Sequence, residues 1–216
     1  MLFNIAIKNL FGAKLRTSLN VFVTSISFFL VIFISGMYDG MREYAKNITI
    51  ETEVAGGTYW HPGYDSMDPR TFEDSHSIIP NQIKKLIDQK YAFGVLISRA
   101  SIYPNGRIMP VVMKGITPDQ TIVNMPTNVL DQHNDITIPV LIGSGMAKNA
   151  NLKVGDSFTI RWLDADRTYD ADEGTIVHIM ETENFKLDLG HIGIPLSKAQ
   201  SMLAMKNQAP CVTHAK

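Results

Sequence analysis

From Thr17 to Tyr38 the chain carries no charged residue, and this run constrains everything around it. At 1.5 Å per residue, about 22 helical residues reach about 33 Å, enough to cross a hydrocarbon core of about 30 Å. Its polar members, Thr24, Ser25, Ser27 and Ser35, are short. Their hydroxyls can bond back to the helix or to a neighbouring one at small cost. A buried helix of a soluble protein rarely stays uncharged this long. A cleaved signal peptide has a shorter apolar core and a small-residue exit of the Ala-x-Ala kind. The exit here reads "ISGMYDGMREY", so a retained membrane span is expected over 17–38.

The flanks set the expected orientation. Lys8, Lys14 and Arg16 precede the run, and all 21 acidic residues of the 216-residue chain lie at or beyond Asp39. By the positive-inside rule the N-terminus is cytoplasmic and the bulk faces the other side, periplasmic or extracellular, from an inner or plasma membrane. Residues 1–16 place Leu2, Phe3, Ala6, Ile7 and Leu10 at helical spacing, interrupted by charges and Gly12. A cytoplasmic amphipathic elbow lying in the interface is expected there, contacting lipid.

The net charge of −1, with 20 basic against 21 acidic residues, shows no basic excess of the kind nucleic-acid binding needs. The single cysteine, Cys211, excludes an intramolecular disulfide framework and a cysteine-based zinc knuckle.

Beyond the span the pattern alternates. The helix is expected to run to about Asn47 and give way to a strand, then to a Gly/Pro/Asp/Ser-rich loop near 54–78. Pro80–Lys90 reads as a short helix with Ile83, Leu86 and Ile87 on one face. "AFGVLISRASIYP" and "GRIMPVVMKGIT" read as strands joined at Pro104–Gly106. A second hairpin follows from Ser157, with Phe158, Ile160 and Trp162 on one face. "LGHIGIPLSKAQSML" reads as a strand running into a helix from about Ser197. The fold class is therefore α+β: one transmembrane helix followed by an extracytoplasmic domain.

Several motifs invite a chemical reading. "VLIGSGMAKNANLKVGDSFTI" places Gly143 and Gly145 after an apolar run, as a phosphate cradle would. It lacks the third glycine of a dinucleotide fingerprint, and Lys148 has no hydroxyl neighbour as in a P-loop. Ser144 sits between the glycines, but a Gly-x-Ser-x-Gly elbow is missing. A turn that bends the chain out of a strand is expected instead. The acids Asp164, Asp166, Asp170, Asp172 and Glu173 suggest calcium, yet their spacing does not fit an EF-hand loop, and a solvated hairpin tip is expected. His61, His76, His133, His178, His191 and His214 are scattered, with no zinc spacing. Thr58–Tyr64, "TYWHPGY", is aromatic-rich and reads as a loop over the domain's own core or a contact for a ligand or partner. Met109, Met113, Met180, Met202 and Met205 read as core filler. No catalytic, cofactor-binding or metal residue is assigned, no cofactor is expected, and no enzyme constellation is recognised.

The N-terminal stretch from Ile5 to Tyr44 resembles the start of ABC-transporter permeases of the MacB/LolC/FtsX type. The matching elements are an A-x-x-N-L helix at Ala6–Leu10, a basic step into the span at Lys14–Thr17, and a G-x-x-x-G exit at Gly36–Gly40. Ile142–Ile160 is similar to a recurring segment of that family's periplasmic domain. The resemblance implies a MacB-like periplasmic core domain in which a porter-like α+β unit holds an inserted mostly-β unit. It divides the chain into elbow 1–16, span 17–38, first porter-like part 39–118, inserted part 119–190 and the start of the second porter-like half at 191–216. The chain ends at Lys216 with one span, so it is expected to be the N-terminal portion of such a permease. The implied partners are a cytoplasmic ABC ATPase and a second permease subunit, in a homo- or heterodimer, with no nucleic acid. The implied work is export or lipoprotein release. The alternative is a single-span anchored sensor or ligand-binding domain.

Overall fold

The computed structural model describes residues 5, 7, 8, 12, 14–65, 67, 68, 77–132, 137–205, 208, 209 and 211–215. The expected elbow residues Leu2, Phe3, Ala6 and Leu10, and His76 and His133, lie outside them. The chain divides into two compact units, 1–47 and 48–216.

The first unit is dominated by α1, Lys14–Thr49. None of its side chains is buried, and its apolar residues, Phe22, Phe28, Phe29 and Phe33 among them, stand exposed. It is long and apolar enough to cross a membrane. Two hydroxyls inside the apolar run bond back within the helix: Thr24 Oγ1 donates to the Asn20 carbonyl at 2.8 Å, and Ser27 Oγ to that of Val23 at 2.9 Å. In a medium without water such back-bonding removes the cost of a bare hydroxyl. At Ile50–Val54 the helix widens into a π turn, and Ala55, with φ 49°, ends it.

The second unit is a sheet domain. Its strands are β1 (Gly57–Trp60), β2 (Ser77–Ile78), β3 (Ala92–Tyr103), β4 (Met109–Ile116), β5 (Pro139–Gly143), β6 (Ser157–Leu163), β7 (Tyr169–Met180), β8 (His191–Pro195), β9 (Gln208–Ala209) and β10 (Cys211–His214). Its helices are α2 (Asn81–Asp88), α3 (Ser144–Ala150), α4 (Phe185–Gly190) and α5 (Leu196–Met202). Eight strands form one sheet in the order β1-β10-β3-β4-β8-β5-β7-β6, and β6 returns to pair with β3. Six strands, β3 to β6 through β4, β8, β5 and β7, thus close a ring.

The ring closes because β3 divides one of its edges between two partners. Val95–Ile102 pairs with β4 along one edge. On the other, Ala92–Val95 pairs with β10 and Ala100–Tyr103 with β6. All six ring strands send side chains into one core, including Ile102, Met113, Ile142, Ile160, Ile176 and Ile192, each at most 1% exposed. Alternation dictates this: Phe158, Ile160 and Trp162 point in while Ser157, Thr159 and Arg161 are exposed. Met146 and Ala147 of α3 and Ala199 of α5 complete the core. Closure removes the free edge that β6 would otherwise offer another chain.

Both expected hairpins form, as does the expected α2. The helix after β8 begins one residue earlier than expected, at Leu196. The methionines behave as filler: Met113, Met180 and Met205 are buried, and Met109 and Met202 pack against the core. The last strand, β10, lies in the interior of the sheet between β1 and β3. Cys211, near the end of the sequence, is accordingly buried in that sheet, and its Sγ lies 3.6 Å from the Val95 carbonyl oxygen. Burial pushes its thiol up to about 12. Since only the thiolate alkylates, Cys211 is expected to resist iodoacetamide at pH 8 in the folded chain and to react on denaturation. Mass spectrometry of carbamidomethylated protein before and after urea reads the difference.

Candidate functional site

On one face of the sheet, away from the ring's core, lies a cavity of about 470 Å³. Strand alternation builds its floor. Phe93, Val95 and Ile97 of β3 share a face; their partners across the ladder are Thr213 and Cys211 of β10 and Ile116 and Lys114 of β4. Trp60 and Thr58 of β1 pair in turn with Cys211 and Thr213. Apolar β-branched and aromatic side chains thus pave the floor, with one lysine among them. The remaining walls come from Thr52–Val54 of the π turn, from Val123 and Met125, and from Lys186 and His191 around α4.

Lys114 is buried, and Glu53 of the π turn forms an ion pair with it. A buried charge and a half-buried one are tolerable only when paired and further hydrogen-bonded. Asn184 supplies the second condition. Its Nδ2 donates to Glu53 Oε2 at 3.2 Å and to Thr52 Oγ1 at 3.0 Å, while its Oδ1 accepts from the Lys186 backbone N–H at 3.2 Å. Thr52 Oγ1 in turn donates to the Ile48 carbonyl at 2.8 Å. The turn is tied by its backbone as well: Asn124 N–H donates to the Glu51 carbonyl, and Gly56 N–H to that of His214. Residues 48–56 are therefore stapled to four separate parts of the sheet domain.

The charges shift one another. Burial raises the Glu53 carboxyl, but the ammonium and hydrogen bond of Lys114, with the Asn184 amide, outweigh it and hold the group below its ordinary 4.5. His191 is lowered from 6.5 by burial first and by the Lys114 charge second. Its Nδ1 lies 2.6 Å from the Lys186 carbonyl, which only accepts, so Nδ1 carries the proton.

The other candidates resolve differently. Thr58–Trp60 lies in β1, and Trp60 stacks on Tyr64 at 4.1 Å as part of the cavity wall. Tyr59, on the opposite face, is exposed. His61, His178 and His214 stand apart from one another; among the described histidines His191 alone lines the cavity. Among the described residues no group of three or more His, Cys, Asp or Glu is placed to share a metal ion. In the acidic hairpin, Asp164 accepts from the Thr168 N–H at 2.7 Å and closes the β6–β7 turn.

The Gly143–Gly145 motif is a turn between β5 and α3, but flexibility does not explain its glycines. Gly143 has ordinary extended angles, φ −80° and ψ 156°. A Cβ there would stand 2.4 Å from the Asp188 carbonyl oxygen, and one on Gly145 2.2 Å from Asp188 Oδ2. The glycines admit α4 to close contact. Asp188 Oδ1 then accepts from Gly145 N–H at 2.8 Å and Ser144 Oγ at 3.2 Å. The anion position of the suspected cradle is filled by the chain's own carboxylate, and Ser144 is a cap partner. True left-handed turns come later, at Asn151 (φ 52°) and Gly155 (φ 92°).

Sequence reasoning named none of Glu53, Lys114 and Asn184. The available signal was Lys114 itself, a lone charge in the apolar strand "MPVVMKGI"; its partner, 61 positions away, left no local trace.

Breaking the pair is expected to cost about 3 kcal/mol, because Glu53→Gln leaves the Lys114 charge buried and uncompensated. Both shifted groups bind protons less readily folded than unfolded, so stability falls with pH twice: from 6.5 downward for His191, and from 4.5 through the depressed value of Glu53. Urea midpoints across pH should show both steps, and Glu53→Gln should flatten the lower one. Gly143→Ala should cost about 3 kcal/mol, since rigid backbone of Asp188 must move, whereas Gly155→Ala should cost about 1 kcal/mol of backbone strain.

No family model matches the chain, and no curated protein is similar to it in sequence. Among solved structures, one similar to it is the extracellular domain of the noncanonic ABC-type transporter YknZ from Gram-positive bacteria. The alignment covers 72% of this chain and 79% of that one, at 10% identity and a TM-score of 0.44.

Proposed function

We propose that the chain is the N-terminal portion of a permease subunit of an ABC transporter. The observation that carries this reading is the order of features in the sequence: a basic flank, an uncharged helix of spanning length, and the Ile142–Ile160 segment similar to the permease family's periplasmic domain. In this reading 17–38 spans the inner or plasma membrane with the N-terminus cytoplasmic. The segments 39–118, 119–190 and 191–216 are the first porter-like part, the inserted part and the start of the second porter-like half. The protein performs no covalent chemistry. A separate cytoplasmic ATPase dimerises on ATP, the spans of this and a second permease subunit shift within the lipid, and the extracytoplasmic domains move to extrude a substrate or release a lipoprotein.

In this reading the Glu53–Lys114–Asn184 staple fixes the residues that follow α1 in sequence to the sheet by an ion pair and hydrogen bonds.

Two measurements test the reading. Single cysteines at Lys14 and Asp39, in a Cys211→Ala background, should differ in labelling by a membrane-impermeant maleimide added outside intact cells: Asp39→Cys reacts and Lys14→Cys does not. Cross-linking of the full chain in native membranes should trap a Walker-motif ATPase, with a yield that changes on adding ATP. Labelling of Lys14→Cys from outside, or recovery of the chain with no ATPase, would overturn it.

A further inference from the structure

We infer that the cavity over Lys114 is a binding site for a small amphiphilic monoanion: an apolar or aromatic body carrying one carboxylate or comparable acidic group. Its volume of about 470 Å³ lies within the range of small-molecule sites, about 300–1,000 Å³. Its make-up follows the same pattern, with apolar and aromatic walls and a few polar groups.

The polar groups are donors with spare capacity. A lysine ammonium has three N–H bonds. Among the described residues Lys114 Nζ has a single hydrogen-bond partner, Glu53, although Lys114 is only 9% exposed. A buried ammonium ordinarily satisfies its remaining hydrogens. Lys186, also lining the cavity, has no carboxylate partner among the described residues. At the other end of the floor the hydroxyl of Thr213, 1% exposed, likewise has no hydrogen-bond partner among them. Glu53 cancels one of the two lysine charges, and His191, lowered by its surroundings, is neutral at pH 7. The cavity therefore keeps one uncompensated positive charge beside unfilled N–H donors, and an anion supplies both missing elements. The floor of Phe93, Val95, Ile97 and Ile116, with Trp60 at the wall, takes the body.

This binding needs no ATPase, so its test is independent of the transporter reading. The full chain is placed in phosphatidylcholine nanodiscs, without detergent that would itself enter the cavity. 4-Phenylbutyrate and its uncharged amide are titrated by calorimetry. The acid is expected to bind saturably, with the amide weaker by about tenfold, the worth of a charge-assisted contact. Lys186→Gln, an exposed substitution that leaves the fold alone, should weaken the acid about threefold or more and spare the amide. Glu53→Leu/Lys114→Met removes the paired charges together, a change that such pairs tolerate. It takes away the unfilled Lys114 donors and leaves the Lys186 charge, so it should reduce the advantage of acid over amide about threefold without abolishing it. Equal binding of acid and amide, acid affinity unchanged in both variants, or no saturable binding up to about 10 mM would overturn the proposal. Replacing part of the lipid by phosphatidylglycerol separates the sources of the anion: loss of phenylbutyrate binding identifies a lipid headgroup as occupant, and unchanged binding a free acid.

Discussion

The sheet domain depends on the division of β3. Val95–Ile102 of its twelve residues pairs with β4 along one edge, while the other edge serves β10 at the start and β6 at the end. That split makes two environments out of one strand. Residues pointing one way, such as Leu96, Ala100 and Ile102, enter the closed core, and those pointing the other way, Phe93, Val95 and Ile97, pave the cavity. Because side chains alternate with period two, a shift of β3 by one residue would exchange core and cavity floor in a single step. β3 is accordingly apolar on both faces at its N-terminal half, where Ala92–Leu96 is buried throughout.

The second tie, Glu53 with Lys114, follows from this floor. A lysine at position 114 is forced inward by the alternation that places Val112 and Ile116, so its charge must be answered from above. The answer comes from the turn after α1, fixed by Asn184 from the loop before α4. Three segments far apart in sequence converge on one charge, and the cavity is what remains between them.

Much of the local structure was legible in the sequence. The uncharged run, both hairpins, the helix at 81–88 and the inward face of Phe158, Ile160 and Trp162 follow from charge and periodicity. So does the structural rather than chemical nature of Gly143–Gly145, although the reason is close approach by Asp188 and not an unusual φ. Ring closure was not legible, because the β3–β6 and β4–β8 ladders join strands whose pairing no local pattern encodes. The position of β10 was hidden for the same reason: four residues at 211–214 carry too little pattern to reveal that they fill the gap between β1 and β3. The staple was invisible in part because Asn184 and Glu53 look like ordinary surface residues until the fold sets them against Lys114.

The placement of β10 has a consequence for synthesis. Among the described residues β1 meets the rest of the sheet through β10 alone, and Gly57 waits for His214, 157 positions further along the chain. Contacts of such long separation slow folding, because loop-closure entropy is spent before any pairing returns it. During translation β1, with Trp60 and Tyr59, must remain unpaired until residues 211–214 have left the ribosome, while the ring of β3 to β8 can already close. The floor of the cavity is thus assembled after the ring, and a nascent chain stalled before Cys211 would display an open β3 edge next to exposed aromatic residues, a ready target for chaperones.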